Sequence, residues 1–169
     1  MELIIRPATI DDLGAVNEIY NQAVDAKSST GDLRHITMEE RRNWFEDHRP
    51  ETYPVLVAQL DHQVAGWISL SPYRKGREGL KYTGEISYYI HTDFQGRGIG
   101  TQLLTAMIQK AKALQFKTLL AILFHTNTGS IRLLEKTDFK QWGLLPGVIE
   151  IEGQTYSHLY YGLRIAANG

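Results

Sequence analysis

The chain has 169 residues, 43% of them apolar, enough for one domain that buries about two-thirds of its unfolded surface. A formal net charge of −1 provides no global field for nucleic acid or an anionic membrane, and no cysteine is present for a disulfide, a thiolate nucleophile or a thiolate zinc site. No apolar run approaches the ~20 residues needed to span a bilayer, and no N-terminal apolar segment precedes a cleavage site. The expectation is a soluble, cytoplasmic protein with a single domain over 1–169.

Leu3-Ile4-Ile5 reads as a short strand ending before Pro7. Thr9 with Asp12 resembles a helix N-cap and its third-position acid. Leu13, Val16, Tyr20, Ala23 and Val24 then repeat at helical spacing. Residues 26–36 have no period and are long enough for a functional loop. Thr37 and Glu40 form a capping box for a helix carrying Met38, Arg41, Trp44 and Phe45. Val55 to Leu60 and Val64 to Leu70 read as antiparallel strands around a turn at 61–63, and 72–81 is a basic loop holding Arg74, Lys75, Arg77 and Lys81.

A strand over 82–91 leads into a loop with Gly96, Gly98 and Gly100, and a helix follows with Leu103, Met107, Ala111 and Leu114 on one stripe. Thr118 to Phe124 is almost wholly apolar, as a strand covered on both faces should be. Asn127 and Thr128 can cap a helix over 129–137. Phe139 to Trp142, Gly147 to Ile151 and Tyr156 to Leu163 read as three final strands, with Gly153 in a hairpin turn. The order β-α-α-β-β-β-α-β-α-β-β is mixed α/β. Trp44, Trp67 and Trp142 read as core. The six histidines show no paired helical spacing for a metal, so no metal site is expected.

Strand, glycine-rich loop and helix N-terminus together aim backbone N–H groups at a phosphate. Gly100 is followed by Thr101 without the lysine of a Walker loop. The even spacing and mid-chain place do not fit a dinucleotide fingerprint. A kinase glycine loop lies between two strands, whereas this one opens a helix. What remains is Gln/Arg-x-x-Gly-x-Gly/Ala, given by Gln95, Gly98 and Gly100.

This pattern is similar to motif A of the GNAT superfamily of acyl-CoA-dependent N-acetyltransferases, and the order of elements matches that fold over nearly the whole chain. The resemblance implies a central mixed, mostly antiparallel sheet flanked by helices, with acetyl-CoA as co-substrate. It places the pyrophosphate on Gln95, Gly96, Arg97, Gly98, Ile99, Gly100 and Thr101, and the pantetheine arm along Tyr88, Tyr89 and Ile90. Asn127, with Ser130 near it, falls where many members contact the cofactor.

Arg77, Thr83 and Glu85 keep the register of a pattern that precedes the central strand in the phosphinothricin acetyltransferase-like group, and Trp142 to Gly147 resembles one branch of it. This implies transfer to the amine of phosphinothricin, methionine sulfoximine or methionine sulfone, with Glu85 as general base and substrate contact, and Arg77 on the substrate carboxylate. A different small amine, or a non-catalytic acyl-CoA sensor, are the alternatives. A homodimer is also implied. Three positions depart from the pattern: Leu134 replaces the usual tyrosine acid, Leu80 a tyrosine and Ser157 an aspartate.

Overall fold

A computed structural model describes residues 2–166. In chain order its elements are β1 (Leu3–Pro7), α1 (Leu13–Ala26), α2 (Met38–Glu46), β2 (Val55–Leu60), β3 (Gln63–Pro72), β4 (Thr83–Ile90), α3 (Ile99–Ala113), β5 (Thr118–Phe124), α4 (Thr128–Lys136), β6 (Lys140–Ile151) and β7 (Gln154–Arg164). The strands form one sheet in the order β1-β2-β3-β4-β5-β7-β6. Only the β4–β5 pair is parallel, so the sheet is mixed and mostly antiparallel.

The sheet buries two different faces. The apolar stripe of α3, with Leu103, Leu104, Met107 and Ala111 fully buried, packs on Ile68, Leu70, Ile86 and Leu119 in the larger cluster. On the other face Val16 and Ile19 of α1 meet Val55, Val57 and Trp67, with Trp44 and Phe45 of α2 closing the edge. Each buried aliphatic or aromatic side chain contributes about 1.5–3 kcal/mol by leaving water, so α3 is held by its stripe rather than by its exposed residues.

Local signals in the sequence become specific contacts. The Thr37 hydroxyl accepts from the Glu40 N–H at 3.2 Å while the Glu40 carboxylate accepts from the Thr37 N–H at 2.8 Å, closing the capping box of α2. The Asp12 carboxylate accepts from the Thr9 N–H at 2.7 Å and from the Arg6 guanidinium through two 2.8 Å bonds. Thr9 opens a single 3-10 turn at Ile10–Asp12 that runs into α1. The loop 26–36 is tied to α1 by Asn21, whose side chain accepts from the Ile36 N–H at 2.8 Å and donates to its carbonyl at 3.1 Å. Arg41 is buried at the α1–α2 seam, its guanidinium 4.7 Å from the Tyr20 ring and 4.6 Å from the Trp44 ring, with Nε donating to Asn17 Oδ1 at 3.2 Å. A cation is tolerated there because aromatic faces and an amide oxygen replace its water.

Three expectations change. Pro7 belongs to β1, which is an edge strand and therefore spares a backbone N–H there. The separate strands over 139–142 and 147–151 are one strand, β6, whose pairing with β7 shifts between Gln141 and Gly143 and again between Leu145 and Ile149. Gly147 takes φ +61° in the second irregularity, and its N–H donates to Ser157 Oγ at 3.1 Å. The hydroxyl at 157 thus holds the bulged strand beside its partner. Trp142 is 50% exposed rather than core, because its ring lies over Gly162 on the outer strands, where a Cβ would come within 2.0 Å of it.

Gly84, immediately before Glu85, lies under Leu70 and Phe116, and a Cβ there would stand 2.5 Å from Leu70 Cδ1 and 3.3 Å from the Phe116 ring. Gly84→Ala is expected to cost about 1–3 kcal/mol of stability by overpacking, read as a lower midpoint in urea unfolding. An unchanged midpoint would show that Leu70 repacks freely.

Candidate active site

The site begins where two paired strands part. β4 and β5 are joined only from Thr83↔Thr118 to Ile86↔Ala121. Beyond that point Ser87–Ile90 stay paired with Gly66–Ser69 of β3, and Ile122–Phe124 stay paired with His158–Tyr160 of β7. Between the parted ends the inner edge of β4 carries backbone groups with no strand partner.

A cavity of about 520 Å³ opens at this parting. Tyr88, Tyr89 and Ile90 line it from β4; Gln95, Gly96, Gly98, Gly100 and Thr101 from the loop and first turn of α3; Asn127 and Ser130 from the start of α4. The structure therefore brings together all the cofactor residues expected from sequence except Arg97 and Ile99. The Arg97 guanidinium lies 5.3 Å from the Phe94 ring, and the Ile99 side chain is buried in the core.

The three loop glycines have different reasons. Gly96 and Gly98 sit at φ +74° and +77°, which an L side chain adopts only with strain. Gly98 is the N-cap of α3 and offers no side chain as cap, and the helix's first internal bond is Gln102 N–H to Gly98 C=O at 3.3 Å. The N–H groups of Ile99, Gly100 and Thr101 are left without helical partners, at the positive end of the helix dipole. Such a helix start is suited to an anion. Gly100 instead serves packing, since a Cβ there would meet Leu133 of α4 at 2.9 Å.

Asn127 caps α4 by accepting from the Ser130 N–H at 3.2 Å. Burial pushes the Tyr88 phenol up to about 12, with the Ser130 hydroxyl pulling against it. Burial also raises Tyr89, first among its causes. Both rings are therefore neutral hydrogen-bond donors at physiological pH. Leu134 is fully buried in the core and has no proton to give; its neighbour Leu133 faces the cavity.

Sequence reading singled out the loop over 26–36 by its length but missed the helix wall opposite β4. Ile19, Gln22, Ala23 and Ala26 of α1 line the cavity, with Ser28 and Ser29 of the loop that follows. Gln22 also reaches the end of β4, where its amide meets the His91 ring at 3.1 Å and accepts from the Thr92 N–H at 3.1 Å. The available signal was a polar residue and two alanines on the inward stripe of a helix, where larger apolar residues would fill a closed core.

Glu85 lies on the α1–α2 face of β4 with Ser87 and Tyr89, in register with Ser71, Ser69 and Trp67 of β3. It is half-buried, and burial pushes its carboxyl above the usual carboxylate range. Ser71, its partner across the strands, borders a second cavity of about 550 Å³ that Arg77 and Leu80 also line. The Arg77 guanidinium forms no ion pair among the described residues. No group of metal-ligating side chains and no helix long and apolar enough to cross a membrane is found among the described residues.

A helix start suited to an anion, beside a parted parallel strand pair and next to a half-buried carboxylate, suits transfer of a group carried on a phosphate-bearing cofactor. The description that matches the chain is Acetyltransferase (GNAT) domain, over residues 2–140. The chain belongs to this family and is an N-acetyltransferase. YwnH of Bacillus subtilis (strain 168), which carries a provisional name as a phosphinothricin acetyltransferase, is 37% identical over 155 residues, covering 91% of this chain and 94% of that protein. The L-methionine sulfoximine/L-methionine sulfone acetyltransferase of Pseudomonas aeruginosa is 33% identical over 149 residues, covering 88% and 86%. A GNAT superfamily phosphinothricin acetyltransferase from Sinorhizobium meliloti, solved in complex with AcCoA, superposes with a TM-score of 0.92 at 25% identity, covering 97% of this chain and 89% of that one.

Gly98→Ala is expected to weaken coenzyme A binding about tenfold, because the strain of about 1–2 kcal/mol at a left-handed residue distorts the anion site. Isothermal titration measures it, and an unchanged affinity would remove this loop as the anchor.

Proposed function

We propose that this chain moves the acetyl group of acetyl-CoA directly to the amino group of a small amino-acid-like substrate of the phosphinothricin, methionine sulfoximine or methionine sulfone type. The observation that carries the reading is the place of Glu85. This carboxylate stands just before the strands part, on a strand whose free edge borders the anion-ended cavity and whose partner Ser71 borders the second cavity. The names of the relatives support the substrate class.

In this reading the pyrophosphate sits on the free N–H groups of α3, and the pantetheine arm follows the open edge of β4 as a surrogate strand. The acceptor enters from the second cavity as an ammonium. Glu85, directly or through water, takes one proton and frees the nitrogen lone pair for attack on the thioester carbon. Backbone N–H groups of β4 stabilise the oxyanion as it forms. The tetrahedral intermediate collapses with cleavage of the carbon–sulfur bond, the electron pair leaves on sulfur, and the nitrogen sheds its second proton to the departing thiolate or to water. Tyr88, still protonated at neutral pH, is a proton donor in the cavity lining, while Leu134 is unable to be one. A raised Glu85 pKa matches this role, since a base whose conjugate acid titrates nearer neutrality drives proton transfer better.

Arg77 is the charge that fits the acceptor's carboxylate, since it lines the second cavity and forms no ion pair among the described residues. Leu80 gives that cavity an apolar patch among the basic side chains of Arg74, Lys75 and Lys81.

Glu85→Gln should lower turnover by about 10²–10³-fold with acetyl-CoA affinity retained. In the wild type, kcat/KM for the amine should rise with pH through an inflection above the ordinary carboxylate range. Survival of that inflection in Glu85→Gln would assign it to the substrate. Arg77→Ala should raise KM about tenfold or more for amines bearing a carboxylate and leave decarboxylated analogues unaffected. Steady-state assays following release of free thiol read both, and equal losses for the two kinds of amine would contradict the role of Arg77.

A further inference from the structure

His48 and Ser71 form a hydrogen-bonded pair that the acetyl-transfer chemistry above does not use. His48 follows the last turn of α2, where the Trp44 carbonyl has lost its helical partner and accepts instead from the His48 ring at 2.6 Å. A carbonyl only accepts, so the proton is on Nδ1. In the neutral imidazole Nε2 is then an acceptor, and Ser71 Oγ lies 3.0 Å from it. The Trp44 ring packs on the imidazole with centroids 4.3 Å apart, fixing its plane. Burial keeps the ring neutral by pulling its pKa down, against the Trp44 carbonyl, which raises it.

The consequence falls on the serine. Its single hydroxyl proton is committed to His48, so its remaining capacity is to accept. Ser71 is the register partner of Glu85, which puts the two Cβ atoms about 4.5–5.5 Å apart on the same face of the sheet. Ser71, His48 and Arg77 all border the second cavity. An ammonium is a pure donor with three N–H bonds. A carboxylate and an acceptor-only hydroxyl side by side match two of them, and Arg77 matches a carboxylate on the same small molecule.

We propose that Ser71 Oγ is the second acceptor for the amine of the substrate, and that His48 is a positioning residue that holds the hydroxyl in its accepting orientation. The serine and Glu85 each accept one N–H bond of the ammonium, which turns the third toward the cofactor; loss of that third proton through water to Glu85 leaves the lone pair facing the thioester. This rests on the reading of Glu85 and the second cavity as the acceptor site.

The test is steady-state kinetics with acetyl-CoA and L-methionine sulfone on the wild type, Ser71→Ala, His48→Leu and the double variant, with thermal melts of each. Ser71→Ala is expected to raise KM for methionine sulfone about tenfold, as loss of a hydrogen bond to a charged group does, with KM for acetyl-CoA unchanged. His48→Leu should reproduce much of that rise, His48→Gln should recover part of it by keeping an acceptor, and the double variant should be no worse than Ser71→Ala alone. Unchanged KM in Ser71→Ala, or multiplying effects in the double variant, would overturn the pairing while wild-type turnover leaves the Glu85 reading standing. Absence of wild-type turnover with methionine sulfone and with every amine of a panel would overturn both. His48→Leu alters no sheet residue and carries the same test where Ser71→Ala folds poorly.

Discussion

The structure depends on the parting of β4 and β5. Parallel strands normally continue side by side until the chain turns, because each unpaired N–H or C=O left in the interior costs free energy. Here the pair separates after Ile86↔Ala121, and each strand finds its bonds on its outer side, β4 with β3 and β5 with β7. The inner edge of β4 is thereby left for a ligand. Everything that defines the site is placed relative to that gap: the free helix start of α3 at its mouth, α4 on one side, α1 on the other, and Glu85 just inside the last paired residues.

Two opposite faces of one strand divide the labour. Ile86, Tyr88 and Ile90 pack toward the α3 cluster, whereas Tyr89 belongs with Trp67 and the α1 cluster, on the face that Glu85 and Ser87 share. Side-chain alternation along the strand thus sends Ile86, Tyr88 and Ile90 to one side of the sheet and Glu85, Ser87 and Tyr89 to the other. The face of Glu85 is the more polar one, with Ser69, Ser71, Ser87 and Glu85 in adjacent rows. A carboxylate there meets burial without a compensating cation, which is why its pKa rises instead of falling. The buried Arg41 nearby is spent on Tyr20, Trp44 and Asn17, and so stabilises the roof of that face rather than the site.

The elements that could be read ahead of the structure were those with strong local causes. The capping box at Thr37 and Glu40, the stripe of α3 and the almost wholly apolar β5 are local or periodic signals, and the structure contains each. Two of the misreadings share one cause. Trp142 looks like core by type, but β6 is the outer strand of the sheet, with no further strand beyond it. The break over 143–146 looks like a loop by composition, yet β7 and the Ser157 hydroxyl keep the chain in the sheet. Neighbours far along the chain decided both.

The sequence by itself determined the family pattern, the glycine-rich helix start and the carboxylate on the strand before it, because these are encoded within the short stretch from Glu85 to Thr101. Gly96 and Gly98 state their positive φ through the absence of a Cβ, and Gln95 lies in the same loop. Only the tertiary structure decided what surrounds them. The wall from Gln22 to Ser29, the packing duty of Gly100 against Leu133, the burial that raises Glu85 and the bond between His48 and Ser71 all join residues remote in sequence. Such contacts follow from how the sheet twists and where helices settle on it, and no local preference of the residues involved encodes them.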